Sequence, residues 1–331
     1  MITRATPGRP GPRLLLPALL LAGLSLWLGL STGSVGLSSG EVLRHLFTDD
    51  GSVGDRIIDQ LRLPRVLSAF AVGGLLALAG ALMQVLLRNP LGDPYILGVS
   101  GGASAAVLGA MLLGLPALWQ TPVAALGALL STLLVFSLSR GSDSWHGDRL
   151  LLTGVVVAAG WSALISFVLS ISPGARLPGM LFWLLGDLSD ADRPGLALGL
   201  LLAGLAFGLL RARDLNLAAQ GLLQAAALGV DTRRLRLELY FVSALLTAAA
   251  VSLAGAIGFV GLIVPHLVRR LGAVDHRWLL PLAALAGGSL LVIADSAART
   301  LISPMQLPVG VLTALLGVPT FLFLLRRQAR A

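Results

Sequence analysis

Residues 62–104 read RLPRVLSAFAVGGLLALAGALMQVLLRNPLGDPYILGVSGGAS, and the reading of this stretch decides the fold. From residue 64 to residue 87 the run is apolar apart from Arg65, Ser68 and Gln84, and about 20 such residues make one crossing of a bilayer. Pro64 suits the first helical turn, where its missing amide costs nothing. Asn89-Pro90-Leu91-Gly92-Asp93-Pro94 then forms a tight, stiff turn, and a second apolar run follows at 96–114. Gly73, Gly74 and Gly80 in the first run, with Gly98 and Gly102 in the second, are small residues at which membrane helices approach closely.

The composition extends this pattern to the whole chain. Of 331 residues, 56% are hydrophobic and only 12% charged, with mean hydropathy +0.88, whereas about a quarter of the residues of an average soluble protein are charged. The expected fold class is an all-α polytopic membrane protein. Further spans are expected near 14–30, 120–140, 150–171, 194–211, 235–252, 253–269, 278–298 and 309–326, ten in all. The run from Arg236 to Arg269 is folded at Gly255 into two short crossings, or else is one long helix and a re-entrant segment. The first span follows Arg4, Arg9 and Arg13 without a convincing small-residue cleavage site, and is read as an uncleaved anchor. Between it and residue 62, Ser38-Ser39-Gly40-Glu41 has capping-box spacing for a short helix through Phe47.

All 24 basic residues are arginine. Ten spans place Arg44, Arg56, Arg62, Arg65, Arg176, Arg193 and Arg299 on one side and the other 17 on the opposite side, together with both termini. Positive residues are retained in the cytoplasm, so both termini are expected there. The sequence pI of about 11.4 follows from arginines flanking lipid spans, and nucleic acid is not an expected partner. Without cysteine there are no disulfides or thiolate metal sites. His45, His146, His266 and His276 are scattered, with no H-E-x-x-H, so no metal site is expected. Without lysine there is no G-x-x-x-x-G-K-[ST] loop, so any ATP is hydrolysed by another polypeptide.

The longest break between apolar runs in the C-terminal half is RARDLNLAAQGLLQAAALGVDTRRLR, 211–236. Leu215, Leu222, Leu223 and Leu228 recur at helical spacing, and Gly229 stands where a helix stops. Too polar at its edges to cross and too apolar inside for a solvated linker, this loop at about 212–234 needs a partner.

Several motifs admit two readings. Arg62 and Arg65 are interfacial anchors or a docking site for carboxylates of a partner, and Arg299 adds a third cation. Asp295 and Arg299 are four apart and read as a structural ion pair. Asn89 and Leu91 belong to a plain turn or to a gate. Gly98-Val99-Ser100-Gly101-Gly102 matches the G-x-S-x-G nucleophile pattern, as does Gly36-Leu37-Ser38-Ser39-Gly40. An intramembrane serine protease would pair Ser100 with a histidine such as His266; the alternative is a glycine-packed helix start. An ion-coupled secondary transporter normally carries acidic residues within its spans, and none lies near the middle of a span here.

Together, residues 62–104, LAGAIGFVGLIVPHLVRRLGAVDHRWLLPLAALAGGSLLVIADSAAR (253–299) and LPVGVLTALLGVPTFLFLL (307–325) resemble the FecCD-type permeases. These are the membrane subunits of bacterial ABC importers for ferric siderophores, haem and cobalamin. The resemblance implies one ten-span permease domain over 1–331, with the type II importer fold, working as a homodimer in the bacterial inner membrane with its substrate path at the dimer interface. It implies two cytoplasmic ATPases, which hold the ATP and magnesium, and a periplasmic or lipid-anchored substrate-binding protein. No cofactor or catalytic residue is implied in this chain. The resemblance places Arg62, Arg65 and Arg299 where the binding protein's glutamates pair, and Asn89 and Leu91 at the cytoplasmic gate. Residues 216–230 fall on the coupling helices that rest on the ATPase, with Gln220, Gly221, Leu222, Ala225, Leu228 and Gly229 in contact. Two departures stand out. Gln220-Gly221-Leu222 replaces a common L-G-E, exchanging an acidic contact for an apolar one. His146-Gly147-Asp148 stands where relatives can carry small hydroxyl residues at a second gate position.

Overall fold

A computed structural model describes residues 10–33, 40–43, 52–139, 147–189, 191, 193–302 and 305–328. The helices are α1 (Pro10–Ser31), α2 (Leu63–Leu86), α3 (Val99–Leu112), α4 (Gln120–Ser139), α5 (Gly147–Ile171), α6 (Leu177–Leu185) and α7 (Pro194–Leu210). They continue with α8 (Ala212–Gln220), α9 (Leu222–Ala227), α10 (Thr232–Ala254), α11 (Val260–Arg270), α12 (His276–Thr300) and α13 (Val309–Gln328). A turn at Val53–Ile57 and a π-helical turn at Ile58–Arg62 run directly into α2. No strand occurs among the described residues. Of the capping-box segment only Gly40–Leu43 is described, and it is helical; Ser38, Ser39, the rest of the run through Phe47, and His146 lie outside the described residues.

Six segments are long and apolar enough to cross a bilayer: Gly11–Ser31, Ile58–Leu86, Ala117–Ser139, Arg149–Ile171, Thr232–Ala254 and His276–Thr300. A seventh is the pair α7 and α8, bent by 62° at Arg211, and α3 and α13 are shorter apolar helices. The expected count of ten is therefore approximate, and its weakest member is the eighth. In place of two short crossings folded at Gly255, α10 is a full 23-residue span. It stops at Gly255, which has φ +66 and ψ −162, and the chain returns as an open stretch to Phe259 followed by the 11-residue α11.

Pro265 explains part of this shape. Lying inside α11, it has no amide to give to the carbonyl four residues earlier, that of Gly261. Gln84 of α2 supplies the donor: its Nε2 lies 3.5 Å from the Gly261 oxygen and 3.1 Å from that of Leu262. Arg269, at the far end of α11, in turn donates to Gln84 Oε1. A polar side chain on a neighbouring span thus satisfies backbone that lipid could not.

The bundle is built around α2. In its most apolar window 89% of the residues are buried, against 11% for α5, so α2 is the axis and α5 has most of its surface still to cover. Close approach makes this possible. A methyl group on Gly80 would overlap the Gly261 carbonyl, and one on Gly73 would overlap that of Gly287 in α12. Gly102 in α3 and Gly127 in α4 meet in the same reciprocal way. Where hydrocarbon surrounds the helices, such backbone contact supplies the packing that the hydrophobic effect supplies in water. α6 was not expected from sequence. At nine residues it is about 13 Å long, too short to cross, and it seats Met180 against Leu108 and Val168 in a small second core.

Candidate functional sites at the two ends of the bundle

At one end the three arginines singled out from sequence converge on a single carboxylate. Asp295, on the last turns of α12, is 1% exposed. Arg65, in the first turn of α2, grips it in a fork, with Nη2 2.8 Å from Oδ1 and Nε 3.2 Å from Oδ2. Arg299 reaches the same Oδ2 from one turn along, 3.0 Å from its Nε. The i, i+4 ion pair is therefore present, but Asp295 is shared with a residue 230 positions away. Arg299 also donates to the carbonyls of Thr32 and Gly29, and Arg62 to that of Leu30 at 2.8 Å. These are carbonyls in the last turns of α1 or just past its end, where no intrahelical donor remains. Arg62 and Arg299 are buried, at 4% and 9% exposure. The Arg65 side chain is 14% exposed and also reaches Gln306 Oε1 at 3.2 Å.

At the other end α8 and α9 stand out from the bundle. The sequence pattern of short helices is found, split at Gly221 (φ +151) and stopped at Gly229 (φ +85). The apolar face of α8, Ala212, Leu215 and Ala218, is buried. Two polar clamps fix it. Arg211 binds Asp214 at 3.3 Å and Glu238 of α10 at 2.7 Å, and Glu238 also receives Arg234 at 2.9 Å. Asn216 donates to Asp275 Oδ1 at 2.7 Å and accepts from the His276 amide at 2.9 Å, so it caps the start of α12. Burial raises the Asp275 pKa, but the amides of Arg277 and Asn216 and the Arg277 charge outweigh it. Asp275 is thereby held below the usual carboxylate range. An anion at this helix start is also favoured by the helix dipole.

The six residues assigned to partner contact separate here. Gln220, Leu228 and Gly229 are exposed, Gly221 is half-buried, and Ala225 is fully buried. Leu222, at the position of the usual acid, packs inward against the core. The residue that faces out is its neighbour Leu223, 90% exposed. Two adjacent leucines cannot be told apart by spacing when the glycine before them resets the helical phase.

The 89–94 turn is stiff for identifiable reasons. Arg88 takes a left-handed conformation (φ +50), Asn89 Oδ1 accepts from the Leu91 amide at 2.9 Å, and Asp93 Oδ1 accepts from that of Tyr95 at 2.8 Å. Burial pushes the Asp93 carboxyl up to about 6, partly opposed by that Tyr95 amide. The Tyr95 hydroxyl donates to the Ile257 carbonyl at 2.8 Å and accepts from its amide at 2.9 Å, which pins the turn to the open stretch before α11. Asn89 and Leu91 are half-buried. In the Gly98–Gly102 motif, Gly98 has φ +68 and its carbonyl accepts from Ser131 Oγ at 2.7 Å. Trp161 Nε1 donates to that same oxygen at 2.8 Å. These contacts belong to a glycine-packed helix start, and nothing in them supports a serine nucleophile.

Comparison with known proteins agrees with this architecture. The model of the FecCD transport family matches residues 19–327. The hemin transport system permease protein HmuU of Yersinia pestis is 44% identical over 333 residues, covering 97% of this chain and 98% of its own. The vitamin B12 import system permease of Escherichia coli is 38% identical over 326 residues, with 97% of each chain covered. Among solved structures, a metal-chelate type ABC transporter in an inward-facing conformation superposes with TM-score 0.85 at 33% identity, over 96% of this chain and 99% of that one. With a family model spanning nearly all of its length and relatives this similar end to end, the chain belongs to the FecCD transport family of ABC transporter permeases.

Proposed function

We propose that two copies of this chain form the membrane path of an ATP-driven importer for a metal chelate, a ferric siderophore, haem or cobalamin, in the bacterial inner membrane. Both termini and the α8–α9 end face the cytoplasm, as the arginine distribution favours. Two ATPase subunits bind that end and hold the ATP and magnesium, and a substrate-binding protein docks at the opposite end. The chain itself catalyses no covalent step. The observation that carries this reading is the α8–α9 element: a helix pair clamped by Asn216 and Arg211 to α12 and α10, holding one bare leucine, Leu223, out into solvent. A rigid apolar projection of this kind fits a cleft in a partner and transmits displacement into two spans at once.

The path itself we place along α5. Its Ser162, Ser166 and Ser170 are exposed and four apart, each hydroxyl donating to a carbonyl of the preceding turn. An exposed hydroxyl stripe suits a water-filled route better than lipid. Flanking it, Val156, Leu164 and Phe167 are exposed and would meet the second copy. Asn89 and Leu91, held by the stiff turn, serve as the gate. At the docking end, Arg65 is the contact we assign to the binding protein's carboxylates, while Arg62 and Arg299 hold the last turns of α1.

Three outcomes test these assignments. Leu223→Glu should leave the thermal midpoint of the permease unchanged, because the side chain is bare, and lower chelate-dependent ATPase stimulation about tenfold or more, the scale of losing one buried apolar anchor; unchanged stimulation contradicts the grip. Arg65→Gln should weaken binding-protein affinity roughly tenfold or more, the range of one charge-assisted hydrogen bond. A lowered thermal midpoint with unchanged affinity would make Arg65 purely structural. In this cysteine-free chain, Ser166→Cys and Leu91→Cys should react with a charged, membrane-impermeant thiol reagent at rates that differ between ATP-bound and nucleotide-free complex. Inert thiols in both states remove the path from α5 and the gate from the turn.

A further inference from the structure

Between α4, α7 and α10 lies a groove of about 950 Å³, walled by Leu126, Leu129, Leu196, Phe241, Leu245 and Ala249. It runs into a second cavity of about 710 Å³, and Thr121, Arg193 and Ser252 line both. The two differ in chemistry. The first is almost wholly carbon, whereas the second holds Gln60, Gln120, Asp187, Ser189 and Arg193. The order of these parts is set by the helices. The shared residues lie at the start of α4, just before α7 and at the end of α10, the end of the bundle that carries the arginine cluster. Phe241 lies 12 residues back along α10, roughly 18 Å deeper, which matches the ~15 Å hydrocarbon depth of one leaflet.

An open apolar groove at that depth is filled by hydrocarbon, since no water is available there and none would be held by carbon walls. The chamber at its mouth adds selectivity. It presents one guanidinium and one carboxylate, and Asp187 Oδ1 is oriented by the amide and hydroxyl of Ser189 at 3.1 and 2.9 Å. We infer that groove and chamber together form a site for a zwitterionic phospholipid of the phosphatidylethanolamine type. An acyl chain occupies the groove, the phosphate pairs with Arg193 in the fork geometry that guanidinium offers to phosphate, and the ammonium meets Asp187. The site is separate from the α5 serine stripe and from the gate, and it wedges α10, which carries Glu238 of the α8 clamp, against α4 and α7. Lipid bound there is a structural partner of the helix that moves with α8.

The test uses the complete permease–ATPase complex in nanodiscs of phosphatidylcholine containing a trace of phosphatidylethanolamine with a photoactivatable group on one acyl chain. Cross-links mapped by mass spectrometry should concentrate in residues 122–129, 196–200 and 241–249. Ala249→Trp should reduce them about tenfold by filling the groove, and Leu126→Trp, on the opposite wall and 59% exposed, does the same should the first variant not fold. Unlabelled phosphatidylethanolamine should compete about tenfold better than diacylglycerol, the scale of a charge-assisted hydrogen bond, and Arg193→Gln or Asp187→Asn should erase most of that preference. Labelling spread evenly over α1, α5 and the other exposed spans would mean ordinary surrounding lipid. Either that pattern or competition blind to headgroup overturns the proposal.

Discussion

One buried carboxylate fixes where the longest lever in the molecule ends. Asp295 is gripped by Arg65 of α2 and by Arg299 of its own helix, and those arginines, with Arg62, also secure the last turns of α1. A buried charge with excellent partners is stable as a unit and costly to break, on the order of 3–5 kcal/mol when one partner is removed. The far end of the same helix is capped by Asn216 from α8. Twenty-five residues make α12 about 37 Å long, so one stiff element carries a polar clamp at each membrane face. Between the clamps it lies against α2 by glycine contact at Gly73 and Gly287. A push on α8 therefore reaches the arginine cluster through a single rod.

The parts that do not share this rigidity are equally informative. α5 buries little of itself, carries hydroxyls on an open stripe, and has exposed branched and aromatic side chains beside them. A span so incomplete as a monomer makes sense beside a second copy across a watery route. Rigid levers on one flank and an uncovered face on the other are what a passive gate needs, because its states are then chosen by partners that bind one arrangement better than another.

How much of this could be read in advance depended on range. Residues 64–87 declared a span because apolarity over 20 residues is a local property, and the 89–94 turn declared itself through prolines and an asparagine that bonds its own backbone. Gly255 marked a fold point for the same reason. What followed it was misread as a short crossing, since the donor that repairs Pro265 sits on Gln84, 178 residues away from Leu262. The arginines were recognised as a group, yet their burial depended on Asp295 meeting Arg65 across 230 residues, a pairing that no spacing rule contains. Leu222 was chosen over Leu223 because the resemblance pointed to that position, and only the backbone at Gly221 shows which of the two turns outward.

The central claim is that the chain moves nothing unless other polypeptides drive it. Reconstituting the purified permease in sealed vesicles, alone and then with its ATPase pair and binding protein, and following entry of a radiolabelled chelate, tests that most directly. The expected result is accumulation only in the complete assembly and only with hydrolysable ATP. Accumulation of the chelate against a gradient by the permease alone would contradict the account.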